Sequence, residues 1–224
     1  MAVKPIPFSG PMIRALLEGR KTATRRVLVR LRGKFGEVIE FGLSDTTGYD
    51  WHFRDKGMRW HDLKHDELLK VLPYQVGDLL WVKENYRAGY GFDGYREDLG
   101  RCATPKDFIK EITPIEYLAD ETRELGGKSY PSMFMCQWMS RITLHVTGVK
   151  IERLQDISEA DAIAEGVEFD ELNEAWADYN PDIEERYWRD TAVGSFETLW
   201  ESINGKGSWD RNDWVAVYTF ERVK

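Results

Sequence analysis

Strand-forming runs recur along this chain without the regularly spaced helices that parallel βαβ units require, and this pattern restricts the fold more than any other feature. Thr24 to Leu31 alternates valine, arginine and leucine, and Phe35 to Phe41 is short and rich in β-formers. A Val76-Gly77-Asp78 turn leads into LLWVKENYR (79–87), the clearest central strand. RITLHVTGVKIER (141–153) alternates and breaks at Gly148, which predicts a bulge or bend. WVAVYTFERV (214–223) is a further strand. With three helices among them, these five or six strands predict an α+β fold. Its sheet should be small, strongly bent and mostly antiparallel or mixed, up to a barrel, with flanking helices. We expect one domain over 1–224, with large loop insertions at about 43–75, 88–131 and 168–194. The first insertion is polar and irregular, with Trp51, Trp60 and Tyr74 scattered in it, and the second offers only a weak helix near 104–111.

The segment FSGPMIRALLEGRKTATRR (8–26) is a capped helix running into a basic, hydroxyl-bearing turn. Ser9 stands at the N-cap, Pro11 in the first turn, and Met12, Ile13, Ala15, Leu16 and Leu17 form the apolar stripe. Gly19 is the expected left-handed terminator. Lys21, Thr24, Arg25 and Arg26 follow at once, where scaffolds commonly present functional groups. Later, Ser158-x-x-Asp161 opens a helix that passes Glu165 and stops at Gly166. An amphipathic helix follows at 195–203, with Phe196, Leu199, Trp200 and Ile203 on its apolar face.

Charge is unevenly distributed. The net charge is −8, yet residues 1–36 carry nine Lys/Arg against Glu18 alone, so the rest of the chain sums to −16. Residues 155–201 hold 15 Asp/Glu opposed by Arg186 and Arg189 only. A uniformly basic surface for bulk nucleic-acid binding is excluded, whereas a local positive site for a small anionic or nucleotide-like ligand is not. No apolar run approaches the roughly 20 residues that cross a bilayer. The first residues lack a signal-peptide core, and a cytoplasmic location is expected, the bacterial host cytoplasm if the chain is phage-encoded. Cys102 and Cys136 form neither a disulfide framework nor a Cys-x-x-Cys pair.

Three motifs carry less than their spelling suggests. Gly89-x-Gly91-x-x-Gly94 follows a strand but opens no apolar-faced helix, so it is no dinucleotide fingerprint. His61-x-x-x-His65 has zinc spacing but lacks a signposted third ligand and reads as an exposed surface segment. NGKGSWD (204–210) lacks P-loop spacing and reads as a turn. The chain therefore calls for no metal and no cofactor.

Lys21, Thr24 and Glu165 form the set with chemical potential. A threonine hydroxyl becomes a nucleophile when a base takes its proton, and a lysine of lowered pKa can be that base. A carboxylate can orient the lysine or move a proton. Residue spacing leaves a catalytic pair and a structural turn both open.

The segment Gly19-Arg20-Lys21-Thr22-Ala23-Thr24-Arg25-Arg26 resembles the opening signature of ASCH-domain proteins, which share the PUA-like fold. Val76 to Val82 is similar to the family's Gly-Asp turn and core strand, Val146 to Gly166 to its strand and glutamate-ended helix, and Trp214 to Phe220 to its closing strand. These four blocks cover roughly 100 residues. Pro131 to Met135 and the SINGKGSW block are most similar to the longer ASCH-like proteins of phages and prophages. Small bacterial members of the family are amidohydrolases that remove the acetyl group from N4-acetylcytidine. The resemblance implies Thr24 as nucleophile, Lys21 as base and Glu165 as the acid that positions Lys21, all converging in a cleft. It implies Arg26 for the oxyanion or the base. Trp81 and Trp138 are candidates to stack on the pyrimidine, and Glu84 is a polar contact that could equally pair with Lys83 or Arg87. Arg141 has the same two readings. The expected partner is a small nucleoside, with RNA secondary and no membrane. The competing class is a non-catalytic PUA-like module for RNA or single-stranded nucleic acid, disfavoured by the acidic balance. A phage accessory protein without a small ligand is a third.

Overall fold

The computed structural model describes residues 2–88, 95–96, 101–102, 113–121, 129–182 and 187–224. The fold is α+β, with more strand segments than helices. Chain contacts divide it into two compact units, one of Met1–Gly19, Leu79–His145 and Arg222–Lys224, the other of Arg20–Asp78 and Val146–Glu221.

In the first unit, Val3–Pro7 lies parallel to Leu79–Lys83, and the latter runs antiparallel to the start of the next long strand, with Thr143 opposite Trp81. Leu80 and Val82 alternate into the core, as a period of two requires. Gly10–Leu17 is the expected helix and buries Ile13, Ala15 and Leu16. Ser9 occupies its N-cap, but the hydroxyl makes no capping bond. Gly19, at φ +79°, turns the chain out of the helix, and Arg222 donates to the carbonyls of Leu16 and Leu17. The strand expected over 79–87 divides at Glu84 and Asn85. Their side chains are taken by Arg141 and by the Ser132 amide, and Tyr86–Ala88 joins a separate sheet between Ile115–Tyr117 and Ser129–Tyr130. Tyr86, Tyr130, Met135 and Met139 form its core.

In the second unit, Ala23–Val27 runs antiparallel to Trp214–Arg222, with Thr24 opposite Tyr218 and Arg26 opposite Ala216. A four-stranded antiparallel sheet follows in the order Arg30–Leu31, Gly36–Leu43, Trp51–Asp55, Trp60–Leu63. The expected irregular insertion at 43–75 is therefore a structural part of this unit. Trp51 and Phe53 are buried with Leu28, Leu31 and Val38, and the helix His65–Val71 adds Leu68. His52, Arg54 and Lys56 interleave with the inward residues and mask the alternation. The insertion at 168–194 likewise contains three short paired strands, Phe169–Asp170, Ala175–Ala177 and Trp188–Arg189.

The sheets of the described residues are open, and none closes into the expected barrel. Val3–Pro7 and Ala23–Val27 each have one partner strand among the described residues. Pro5 and Pro7 lack the N–H groups that a further partner would need. The Gly89–Gly94 motif and the weak helix near 104–111 lie outside the described residues. No helix among the described residues is long and apolar enough to cross a membrane.

The strand Thr143–Arg153 runs through Gly148 without ending. Glycine is required there by proximity, because a Cβ would lie 2.5 Å from Thr219 Oγ1. Gly148→Ala is expected to cost about 1–3 kcal/mol in chemical denaturation, as overpacking does. Thr219→Ala in that background should recover most of the loss. An unchanged midpoint in Gly148→Ala would show that Thr219 rotates away freely.

Candidate active site

The turn after Gly19 is attached to the end of a distant helix. Thr22 N–H donates to the Ala164 carbonyl at 2.8 Å, and Arg20 Nη1 to the Gly166 carbonyl at 2.7 Å. That helix, Glu159–Ala164, starts as its sequence dictates, with Ser158 Oγ accepting from Asp161 N–H at 3.1 Å. Glu165 is its C-cap, and Gly166 at φ +90° turns the chain away.

These backbone bonds place Lys21 against Glu165, 144 positions apart in sequence. Lys21 Nζ donates to Glu165 Oε2 at 2.8 Å, to the Glu165 carbonyl at 2.7 Å and to the Ala23 carbonyl at 2.8 Å. The three acceptors match the three donors of an ammonium, so the resting pair is ionic. Its side chains are 0% and 1% exposed. Burial pushes the Lys21 pKa below its ordinary value; the charge and hydrogen bond of Glu165 oppose this, and Arg26 and Arg25 reinforce it.

Thr24 is buried one peptide further on, since the Ala23 carbonyl bound by Lys21 belongs to the Ala23–Thr24 peptide. As cross-strand partners lie on one face, Thr24 faces the same way as Tyr218, and Arg26 follows two residues along. Tyr74 meets Tyr218 edge-on, with ring centroids 5.1 Å apart. Burial lowers the Arg26 pKa, offset by Tyr74, Glu165 and Tyr218, and burial raises those of both tyrosines. Arg25 sends its guanidinium to Glu152 Oε1, at 2.6 Å from Nη2, and to Glu165 Oε1, at 3.3 Å from Nη1.

Lys21 and Glu165 thus converge as expected, with Thr24 and Arg26 on the adjoining strand. The expected cleft is replaced by enclosure: Lys21, Thr24 and Glu165 are 3%, 1% and 1% exposed. Sequence reasoning named Arg25 among the basic residues after the helix without a partner, and gave Tyr74 and Tyr218 no part in the site. The period-two pattern of Trp214 to Phe220 signals a buried Tyr218, but nothing local distinguishes Arg25 from Arg26.

Trp81, Glu84 and Trp138 belong to the other compact unit. Trp81 sits in Leu79–Lys83 with Lys83 Nζ 5.5 Å from its ring centroid, and Trp138 packs on the Tyr86–Met139 cluster. Glu84 is buried and accepts two bonds from Arg141, both at 2.9 Å. Arg141 also forks onto Asp120 and stacks 4.0 Å from the Tyr117 ring centroid, so its pairing is structural. His61 binds Asp55, and His65 accepts from Trp51 Nε1 at 3.2 Å. Both imidazoles are thereby engaged in the four-stranded sheet and its helix. Among the described residues no group of His, Cys, Asp and Glu could hold a metal ion.

No protein-family model matches the chain, and neither a curated protein nor a solved structure matches it. The chemistry must be read from the cluster alone. A buried lysine of lowered pKa, bonded to a carboxylate and to the carbonyl that precedes a buried threonine, suits proton abstraction from a hydroxyl. Arg26 on the adjoining strand suits an oxyanion.

Proposed function

We propose that the chain is an ASCH-like, PUA-related amidohydrolase that removes the acyl group from an N4-acylated cytosine nucleoside. The observation that carries this reading is the enclosed Lys21–Glu165 ion pair, with Thr24 buried one peptide beyond the Ala23 carbonyl that Lys21 binds. Lys21 acts as the neutral amine, its proton lost to solvent, and Glu165 Oε2 orients it. That amine accepts the Thr24 proton as Thr24 Oγ bonds to the acyl carbon. The tetrahedral oxyanion is met by Arg26, and it collapses as the cytosine amine leaves with the proton held by Lys21. Water then cleaves the acyl–threonine ester by the same proton path and restores Thr24. The enclosure means that substrate enters only when neighbouring side chains give way.

Purified protein incubated with N4-acetylcytidine is expected to release cytidine and acetate. The value of kcat/KM should rise with pH, because Lys21 must lose its proton and burial lets it do so below the ordinary lysine range. Turnover should tolerate salt, since an uncharged nucleoside releases no counterions. No cytidine release, together with tight salt-sensitive binding of single-stranded RNA, would make the nucleic-acid module the correct reading. A profile flat from acid to alkali would remove Lys21 as the base.

A further inference from the structure

Lys21 and Glu165 are one end of a longer charged chain. Arg25 lies next in it, with a fully enclosed guanidinium held from two sides. On one side Nε and Nη2 donate to Glu152 Oε1 at 3.1 and 2.6 Å, with Asp161 Oδ2 3.2 Å from Nη2. On the other, Nη1 donates to Glu165 Oε1 at 3.3 Å. Three different elements supply the acids: the strand Thr143–Arg153 for Glu152, the helix Glu159–Ala164 for Asp161, and its cap for Glu165. Phe196 covers the guanidinium, its ring centroid 5.9 Å from Arg25 Cζ. Lys150, half exposed, closes the outer end at 2.8 Å from Glu152 Oε2 and 3.4 Å from Asp161 Oδ2. Charge therefore alternates from Lys150 through Glu152 and Asp161, Arg25 and Glu165 to Lys21.

We propose that Arg25 is a positioning residue for the Lys21–Glu165 pair: its guanidinium holds Glu165 Oε1 so that Oε2 is presented to Lys21, and Glu152 and Asp161 hold Arg25 in turn. Its consequence for rate rests on the proposed amidohydrolase activity; its consequence for the state of Lys21 does not. A lysine at position 25 would keep the charge but could not fork to both sides, because the geometry uses the rigid spread of a guanidinium. Glu165 would then be free to rotate its carboxylate. Arg25 also acts on Lys21 through its charge, as do Arg26 and Glu165, while Tyr74 and Tyr218 act on Arg26.

The test follows the Lys21 side chain directly by heteronuclear NMR of protein labelled in its lysine side chains, titrated with pH in wild type, Arg25→Gln, Arg25→Lys, Glu152→Gln and the Arg25→Gln/Glu152→Gln double variant. In Arg25→Gln the Lys21 midpoint is expected at higher pH, because a cation that disfavours the ammonium is gone. In Glu152→Gln it should move lower, since the charge of Arg25 is less balanced. In the double variant Glu152→Gln should add nothing, as the coupling runs through Arg25. With N4-acetylcytidine as substrate, the acid limb of kcat/KM should follow the Lys21 midpoint. Arg25→Gln should lose about tenfold at neutral pH, more in kcat than in KM. Arg25→Lys keeps the charge but not the fork, so the Lys21 midpoint should fall as Glu165 leaves it, and the rate should drop through the misplaced Glu165. An unchanged Lys21 titration in Arg25→Gln, or an equal Glu152→Gln effect in both backgrounds, overturns the proposal. If Arg25→Gln does not fold, Arg25→Lys and Glu152→Gln decide: wild-type titration in Glu152→Gln overturns it. If the wild type shows no turnover at all, the amidohydrolase reading fails and the titration still decides the role of Arg25.

Discussion

Glu165→Ala is expected to lower the unfolding free energy by about 3–5 kcal/mol near neutral pH, the usual cost of leaving one partner of a buried ion pair uncompensated. The carboxylate is 1% exposed, and the lysine it faces is wholly enclosed, so water cannot replace the lost partner. Two carbonyls would still accept from Lys21 Nζ, but neither cancels its charge. The sign of the pH dependence follows from Lys21. Its pKa is already below the unfolded value in the folded protein, and losing Glu165 removes the largest influence that raises it. The unfolded chain then binds more protons than the folded one over a wider range, so the stability of the variant should rise with pH up to the ordinary lysine pKa of about 10.4. Urea denaturation near neutral pH and near pH 10 measures both effects. A loss below about 1 kcal/mol, the value for an exposed pair, would mean that the pair is hydrated in solution.

Thr24→Ala is expected to reduce hydrolysis of N4-acetylcytidine by about three orders of magnitude or more while leaving the denaturation midpoint nearly unchanged. Removing a nucleophile commonly costs at least that much, and the residual rate comes from the groups that bind and polarise the substrate. Alanine retains the Cβ at a strand position opposite Tyr218, so the packing change is small. Thr24→Ser would keep an attacking oxygen and should retain most of the rate. Near wild-type turnover by Thr24→Ala would exclude covalent catalysis at this position and require water as the nucleophile. A burst of one acetate per wild-type molecule, absent from Thr24→Ala, is the direct signature of the acyl–threonine.

Local physics made both halves of the site legible before their contact was. The helix Gly10–Leu17 and its stop at Gly19 follow from an apolar stripe and a left-handed glycine, and the same grammar placed Ser158 and Gly166 around Glu159–Ala164. The reading failed where inward and outward residues are both bulky or charged. Trp51, His52, Phe53, Arg54 and Asp55 look irregular in sequence, yet they form a strand with Trp51 and Phe53 in the core. Glu84, read as a polar contact or a partner of Lys83 or Arg87, is enclosed and pairs with Arg141 from 57 positions away. The barrel was a global inference from local strands, and the proline-bearing Val3–Pro7 strand has a single partner among the described residues.

By itself the sequence determined the helices Gly10–Leu17 and Glu159–Ala164, where each ends, and that a lysine, a threonine and two arginines follow the first of them. These features depend on periodicity, capping and glycine conformations, which are properties of a few neighbouring residues. Only the tertiary structure decided that Lys21 meets Glu165, that Arg25 binds its other oxygen, and that the set is enclosed. A buried charge is stable only where distant elements bring its partner and exclude water, and no local pattern records which of many acids that partner will be.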